Sequence, residues 1–153
     1  MKKARLNPFE AAPKEMKAWL ECSNVMHQTR LEPRLMYLVQ MRASQINGCA
    51  VCLNMHSTDA RKAGETEQRL YLLDAWRDSP LYSERERAAL GWTEALTLVS
   101  ETHAPDDAYE VLRRHFTEEE QVKLTLLIGL VNAWNRINIG FRAVHPAEEK
   151  KAA

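Results

Sequence analysis

Apolar residues recur every three or four positions along most of the chain, the spacing of one face of an α-helix. Two of these segments follow Pro13 and Pro33, and proline suits the first position of a helix because its missing N–H is not needed there. The pattern therefore predicts helices that begin at Pro13 and Pro33. The longest apolar segment follows Thr117 and predicts a helix with a core-facing stripe of Leu124, Leu127, Ile128, Val131 and Trp134.

Turn and capping residues set the bounds of the other elements. Asn47-Gly48 indicates a turn, so the next helix is expected from about Cys49 to just before Gly64. Ser83 and Thr117 are each followed three residues later by a glutamate, the pattern of a capping box. The remaining predicted helices run from Thr66 to about Ala75, from Ser83 through the apolar segment that ends at Val99, from Pro105 to about His115, and from Thr117 to Gly140.

Composition favours an all-α fold. Ala and Leu together contribute 37 residues, whereas the β-branched Val and Ile, which strands prefer, contribute 12. A length of 153 residues fits one domain of about 100–200 residues, and no linker divides the chain. We therefore expect a single all-α domain over residues 1–153, with its core at about 13–142 and a flexible tail at 143–153.

Charge and hydropathy narrow the range of partners. The 21 Lys and Arg residues balance 21 Asp and Glu, so the basic excess typical of a nucleic-acid binder is absent. A net charge of zero favours self-association, so we expect a homo-oligomer. The most apolar run, Leu124 to Val131, is far shorter than the roughly 20 residues that span a bilayer. No signal peptide is recognisable, so we expect a cytoplasmic protein that acts without a membrane or nucleic acid.

The segment after Asn47-Gly48 carries the candidate chemistry. Cys49, Cys52 and His56 are spaced three and four residues apart, which places them along one stripe of a helix. Cys49 lies at the predicted helix N-terminus, where free N–H groups and the helix dipole stabilise a thiolate. An activated thiol, a second thiol and a nearby base are the minimum for reducing a peroxide through a sulfenic acid and then a disulfide.

Two other interpretations of the same residues compete with redox chemistry. A pair of buried cysteines and a histidine can simply fill the core. Alternatively, the three side chains could bind zinc, but a structural zinc site needs four ligands, and neither Cys22 nor His27 has a spacing that marks it as the fourth. Because cytosolic CxxC pairs usually have redox or metal functions, we predict a redox pair with no bound metal and no tightly bound cofactor.

At these residues the chain resembles the alkylhydroperoxidase D (AhpD)-like, carboxymuconolactone decarboxylase superfamily. The segments that carry the resemblance are Arg42-Ala43-Ser44-Gln45-Ile46-Asn47-Gly48-Cys49-Ala50, Cys52, Met55-His56-Ser57 and Asp59-Ala60-Arg61-Lys62-Ala63-Gly64-Glu65, with supporting matches at 76–77, 86–90, 94–97 and 132–136. The resemblance covers about residues 30–142. It implies an all-α helical bundle that forms dimers, trimers or hexamers.

The resemblance also implies an activity and a role for each residue. It implies a peroxidase that reduces hydroperoxides and takes electrons from a dithiol reductant, such as a lipoyl-like or thioredoxin-like protein. In such proteins the second cysteine attacks the peroxide and the first resolves it, roles that pass to Cys52 and Cys49. The histidine of the proton relay corresponds to His56.

The chain departs from this family where the relay needs a carboxylate. Twelve residues before the first cysteine, the family's relay glutamate is replaced by Tyr37, a poor base at neutral pH. Glu94, on an otherwise apolar helix, could replace that glutamate, although an ordinary ion pair with an arginine is the more common reason for a carboxylate there. Tyr37 and Glu94 are thus candidate relay residues.

Three functions follow from these residues. The first is a thiol-dependent peroxidase that uses Cys52, Cys49 and His56. The second is a redox-responsive binding protein in which the Cys49–Cys52 couple switches a partner surface with little turnover, as the change at Tyr37 suggests. The third is a carboxymuconolactone decarboxylase-like enzyme, which has no evident need for a dithiol.

Overall fold

The computed structural model describes residues 3–146, which form α-helices joined by short turns, with no strand in that range. The helices are α1 Pro8–Ala11, α2 Pro13–His27, α3 Pro33–Asn47, α4 Ala50–Lys62, α5 Glu67–Tyr71, α6 Glu84–Thr97, α7 Val99–Thr102, α8 Asp106–His115 and α9 Glu118–Gly140. The predicted all-α fold is confirmed. Of the expected tail, residues 143–146 are not helical and residues 147–153 lie outside the described range.

Most predicted helix boundaries are confirmed, because local capping determines them. Pro13 and Pro33 are the first residues of α2 and α3. Both capping boxes form: the side chains of Ser83 and Thr117 each accept a hydrogen bond from a backbone N–H three residues on, and the glutamate there bonds back to the cap.

Three boundaries differ from the sequence expectation. Helix α1 was not predicted, and it begins where the side chain of Asn7 accepts a hydrogen bond from the N–H of Phe9. The helix expected from Thr66 to Ala75 divides into α5 and a 3₁₀ turn at Leu73–Ala75. The helix expected to continue to Val99 ends at Thr97, and the hydroxyl of Thr102, in the separate α7, donates a hydrogen bond to the carbonyl of Ala95.

Helix α3 lies at the centre of the fold and packs against α4, α6 and α9. On one side Val39 contributes to a core cluster that also contains Leu124, Leu127 and Ile128 of the predicted stripe of α9, all fully buried, while the partly buried Trp134 packs against it. Towards the other side, Leu38 joins a second cluster with residues such as Leu73 and Trp76. Helix α3 therefore links both parts of the core to the turn that carries Cys49.

Within the described residues, no helix has both the length and the apolar character needed to cross a lipid bilayer. Homo-oligomerisation stays a prediction.

Candidate active site

The turn between α3 and α4 places the first cysteine. Gly48 ends α3 with a φ of 70°, a left-handed conformation that glycine adopts without steric cost. The next residue, Cys49, donates its backbone N–H to the carbonyl of Ser44 and caps the N-terminus of α4 with a carbonyl that accepts from Leu53. The sequence prediction of a helix that starts at about Cys49 is confirmed.

A buried amide network fixes this turn against α9. The Nδ2 of Asn47 lies 3.0 Å from the Oδ1 of Asn132 and 2.8 Å from the Oδ1 of Asn135. Asn135 in turn donates to the hydroxyl of Ser44 at 3.1 Å. The structure shows a buried network, which holds the end of α3 in place.

Cys49 and Cys52 form a disulfide, with their Cα atoms 5.3 Å apart. Each residue is only 1 % exposed. The side-chain amide of Asn138, on α9, donates a hydrogen bond to the sulfur of Cys52 at 3.5 Å. Cys52 also lies in the first turn of α4, where backbone N–H groups lack helical acceptors. Both features favour a thiolate at Cys52 once the disulfide is reduced.

The two cysteines line different cavities. Cys52 lines a cavity of about 340 Å³ that has largely apolar walls, formed by Leu20, Val51, Met55, Leu130, Val131 and Trp134. Cys49 lines a second cavity of about 450 Å³, together with Arg142 and His145. Val51 and Asn138 border both cavities. A molecule that reaches one cysteine therefore does not occupy the space beside the other.

His56 lies in the Cys52 cavity, one turn further along α4, and is 6 % exposed. The pKa of His56 is lowered to about 4, mainly by burial; the nearby charge of Asp59 opposes the shift, and that of His27 adds to it. The imidazole is therefore neutral at pH 7 and able to accept a proton. The sequence placed Cys49, Cys52 and His56 together, and the structure brings all three to this part of α4.

Tyr37 and Glu94 lie elsewhere, and neither lines the Cys52 cavity. Tyr37 packs against the core cluster around Leu38. The carboxylate of Glu94 accepts hydrogen bonds from the Nε of Arg42 at 2.8 Å and from the indole N–H of Trp76 at 2.8 Å, and it pairs with Arg77 at 2.6 Å. This is the ion pair that the sequence analysis weighed against a relay role for Glu94.

Four polar residues of the Cys52 cavity were not predicted from the sequence: Ser23, Asn24, Gln40 and Asn138. Gln40 could have been found, because it lies between Met36 and Ser44 at four-residue spacing on a buried stripe of α3. A glutamine on such a stripe needs a partner or a function. Asn138 carries no comparable signal, because only the crossing of α4 and α9 brings it to Cys52.

Among the described residues, the fold brings no further zinc ligand to Cys49, Cys52 and His56. Across residues 3–146, no three His, Cys, Asp or Glu side chains cluster in a way that could hold a metal ion. Cys22 lies exposed on α2 and is not paired with another cysteine.

Similarity to a known protein family extends over the residues of this site. The model of the carboxymuconolactone decarboxylase family matches residues 13–95, which include the disulfide and His56. The chain is 43 % identical to the uncharacterized protein YdfG of Bacillus subtilis over 88 % of its own length and 92 % of that protein's. It is 36 % identical to the uncharacterized protein YnjA of Escherichia coli over 78 % of its length, but this covers only 63 % of YnjA.

A solved structure has the same fold. The crystal structure of ATU0492 from Agrobacterium tumefaciens, a protein of unknown function proposed to be the antioxidant defence protein AhpD, superposes with a TM-score of 0.93. It is 49 % identical and covers 95 % of this chain and 100 % of its own.

Proposed function

The chain belongs to the carboxymuconolactone decarboxylase family, and within that family we propose that it is a thiol-dependent peroxidase acting on hydroperoxides. One observation carries the proposal: Cys52 is bonded to Cys49 but lines its own largely apolar cavity, together with a neutral histidine. The description of ATU0492 as an AhpD candidate is consistent with this activity.

The first step takes place in the Cys52 cavity. After reduction of the disulfide, His56 accepts the proton of the Cys52 thiol, and the thiolate attacks the terminal oxygen of the hydroperoxide. The O–O bond breaks, Cys52 becomes a sulfenic acid, and the leaving alkoxide takes up the proton from His56 as an alcohol. The lowered pKa of His56 favours the second transfer, because a weakly basic imidazole gives up its proton readily to the alkoxide.

The second step restores the disulfide. The Cys49 thiol attacks the sulfur of the Cys52 sulfenic acid, an S–S bond forms and water leaves. The Cα separation of 5.3 Å in the disulfide lies within the usual range for such a bond.

A dithiol then reduces the disulfide, and we propose that it attacks Cys49 from the second cavity. This cavity is the larger of the two, and its residues Arg142 and His145 are exposed. A lipoyl-like or thioredoxin-like protein would deliver two electrons there and leave as its own disulfide. A cycle of this kind suits the cytoplasm, where thiols are kept reduced.

A redox-responsive binding protein is the second candidate. One observation favours it: neither Tyr37 nor Glu94 lines the Cys52 cavity, so no carboxylate of the predicted relay supports His56. A switch would form the same disulfide but would turn over slowly even with a reductant present.

Counting thiols before and after one equivalent of an organic hydroperoxide tests the peroxidase. The reduced protein has three free thiols, and we expect one to remain, that of the exposed Cys22. Cys52→Ser should retain both of its thiols, and repeated turnover with excess dithiol should distinguish an enzyme from a switch. Three thiols that persist in the wild-type protein would contradict the peroxidase.

A further inference from the structure

Gln40 presents an unusual polar group in the Cys52 cavity. It lies on α3, is 3 % exposed, and lines the cavity together with Cys52 and His56. Its Oε1 is buried and has no hydrogen-bond partner within the described residues. Leaving a buried amide oxygen unpaired is costly, because the group loses its hydrogen bonds to water and gains none from the protein.

Comparable buried amides of this chain are satisfied. Gln121 donates from its Nε2 to the carbonyl of Phe116 at 2.8 Å. Asn135, which is fully buried, accepts from Asn47 and donates to Ser44. Gln40 thus differs from them in that its amide oxygen is unpaired, and the residue lines a cavity together with Cys52. An apolar residue would continue the stripe that Met36 begins, so packing alone does not account for a glutamine.

We infer that Gln40 binds the hydroperoxide group itself, an inference that rests on the proposed peroxidase function. A hydroperoxide carries one O–H donor and two neighbouring oxygen acceptors. A primary amide has the complementary set, an oxygen that accepts and an N–H₂ that donates. The Oε1 of Gln40 accepts from the peroxide O–H, and its Nε2 donates to a peroxide oxygen.

In this proposal the groups that line the cavity have separate functions. The largely apolar walls hold the organic part of the substrate, Gln40 orients the O–O bond, and Cys52 attacks the terminal oxygen. An amide does not transfer protons at neutral pH, so Gln40 leaves proton transfer to His56 and acts through binding and orientation. Its loss should therefore slow the reaction with hydroperoxides specifically and leave the intrinsic reactivity of Cys52 unchanged.

The test uses a background of Cys22→Ser and Cys49→Ser, in which Cys52 is the only thiol of the chain. Reduced protein is mixed with tert-butyl hydroperoxide, and sulfenic acid formation at Cys52 is followed by trapping and mass spectrometry. Alkylation of Cys52 by iodoacetamide is measured in parallel. For Gln40→Met we expect the hydroperoxide rate to fall about tenfold, the effect of losing one good hydrogen bond, while the iodoacetamide rate stays within about twofold.

Gln121→Met is the matched control, because it removes a buried amide that is already paired. It should lower the melting temperature and leave both rates unchanged. Gln40→Met should melt at or above the wild-type temperature, since it removes an unpaired amide oxygen. Equal rates for Gln40→Met and the parent would overturn the role of Gln40, and so would an equal slowing with both reagents. If the parent alkylates but does not react with the hydroperoxide, the peroxidase proposal fails and this inference fails with it.

Discussion

The side-chain amide of Asn138 donates a hydrogen bond to the sulfur of Cys52 at 3.5 Å, and this contact joins the last turn of α9 to the first turn of α4. In the reduced protein the same donor would face a thiolate, where a hydrogen bond is stronger than to a neutral sulfur. Asn138 also borders the cavities of both cysteines, so it is close to the proposed sites of peroxide attack and of disulfide reduction.

Replacing Asn138 with Leu should make Cys52 less reactive. Loss of the donor leaves a smaller fraction of Cys52 as thiolate, so alkylation at pH 7 should slow by about threefold to tenfold. The rate–pH curve, measured in the Cys22→Ser/Cys49→Ser background, should shift to higher pH. An unchanged curve would show that the contact contributes nothing to thiolate stability.

His56 should make the oxidised protein less stable in acid. Because the folded pKa is about 4 and the unfolded value is near 6.5, only the unfolded chain binds this proton between those pH values. The contribution is fully present above pH 6.5 and is lost as the pH falls towards 4. Between pH 7 and pH 5 the unfolding free energy of the wild-type protein should fall by about 2 kcal/mol more than that of His56→Leu. Urea titrations at both pH values measure this difference, and parallel pH dependences in the two proteins would contradict it.

Glu94→Gln should affect stability rather than catalysis. The substitution weakens the ion pairs that residue 94 forms with Arg42 and with Arg77. We therefore expect a loss of about 1–3 kcal/mol in unfolding free energy. The rate of Cys52 oxidation by a hydroperoxide should stay within about twofold, since the Glu94 carboxylate lies outside the Cys52 cavity. A selective tenfold loss of that rate in a variant that folds normally would instead support the relay role.

Gly48→Ala and Gly129→Ala form a matched pair for the turn before Cys49. A Cβ atom at either position meets nothing within 4 Å, so both effects come from the backbone. At Gly48, with φ of 70°, alanine should cost about 1–2 kcal/mol; at Gly129, inside α9, it should stabilise by about 0.5–1 kcal/mol. Thermal unfolding of the two variants in opposite directions checks this, and a neutral Gly48→Ala would show that the turn does not require glycine.

The sequence determined most of the helices, because their signals are local. A proline at the first position of a helix and the capping boxes at Ser83 and Thr117 each act within a single helical turn. In the structure they lie at the starts of helices, as expected. The spacing of Cys49, Cys52 and His56 likewise brings them together, since all three belong to α4 or its cap. Two of the predicted helices end earlier than expected, at Tyr71 and Thr97, but both lie where the sequence placed them.

Only the tertiary structure decided what surrounds the cysteines. Asn138 is 86 residues from Cys52 along the chain, and the crossing of α4 and α9 alone makes it a neighbour of that sulfur. Glu94 could have faced either the thiols or an arginine from its helix position, and the packing of α6 against α3 gave it Arg42. The separate cavities of Cys49 and Cys52, and the unpaired amide of Gln40, likewise arise from packing between helices, which periodicity along one helix does not specify.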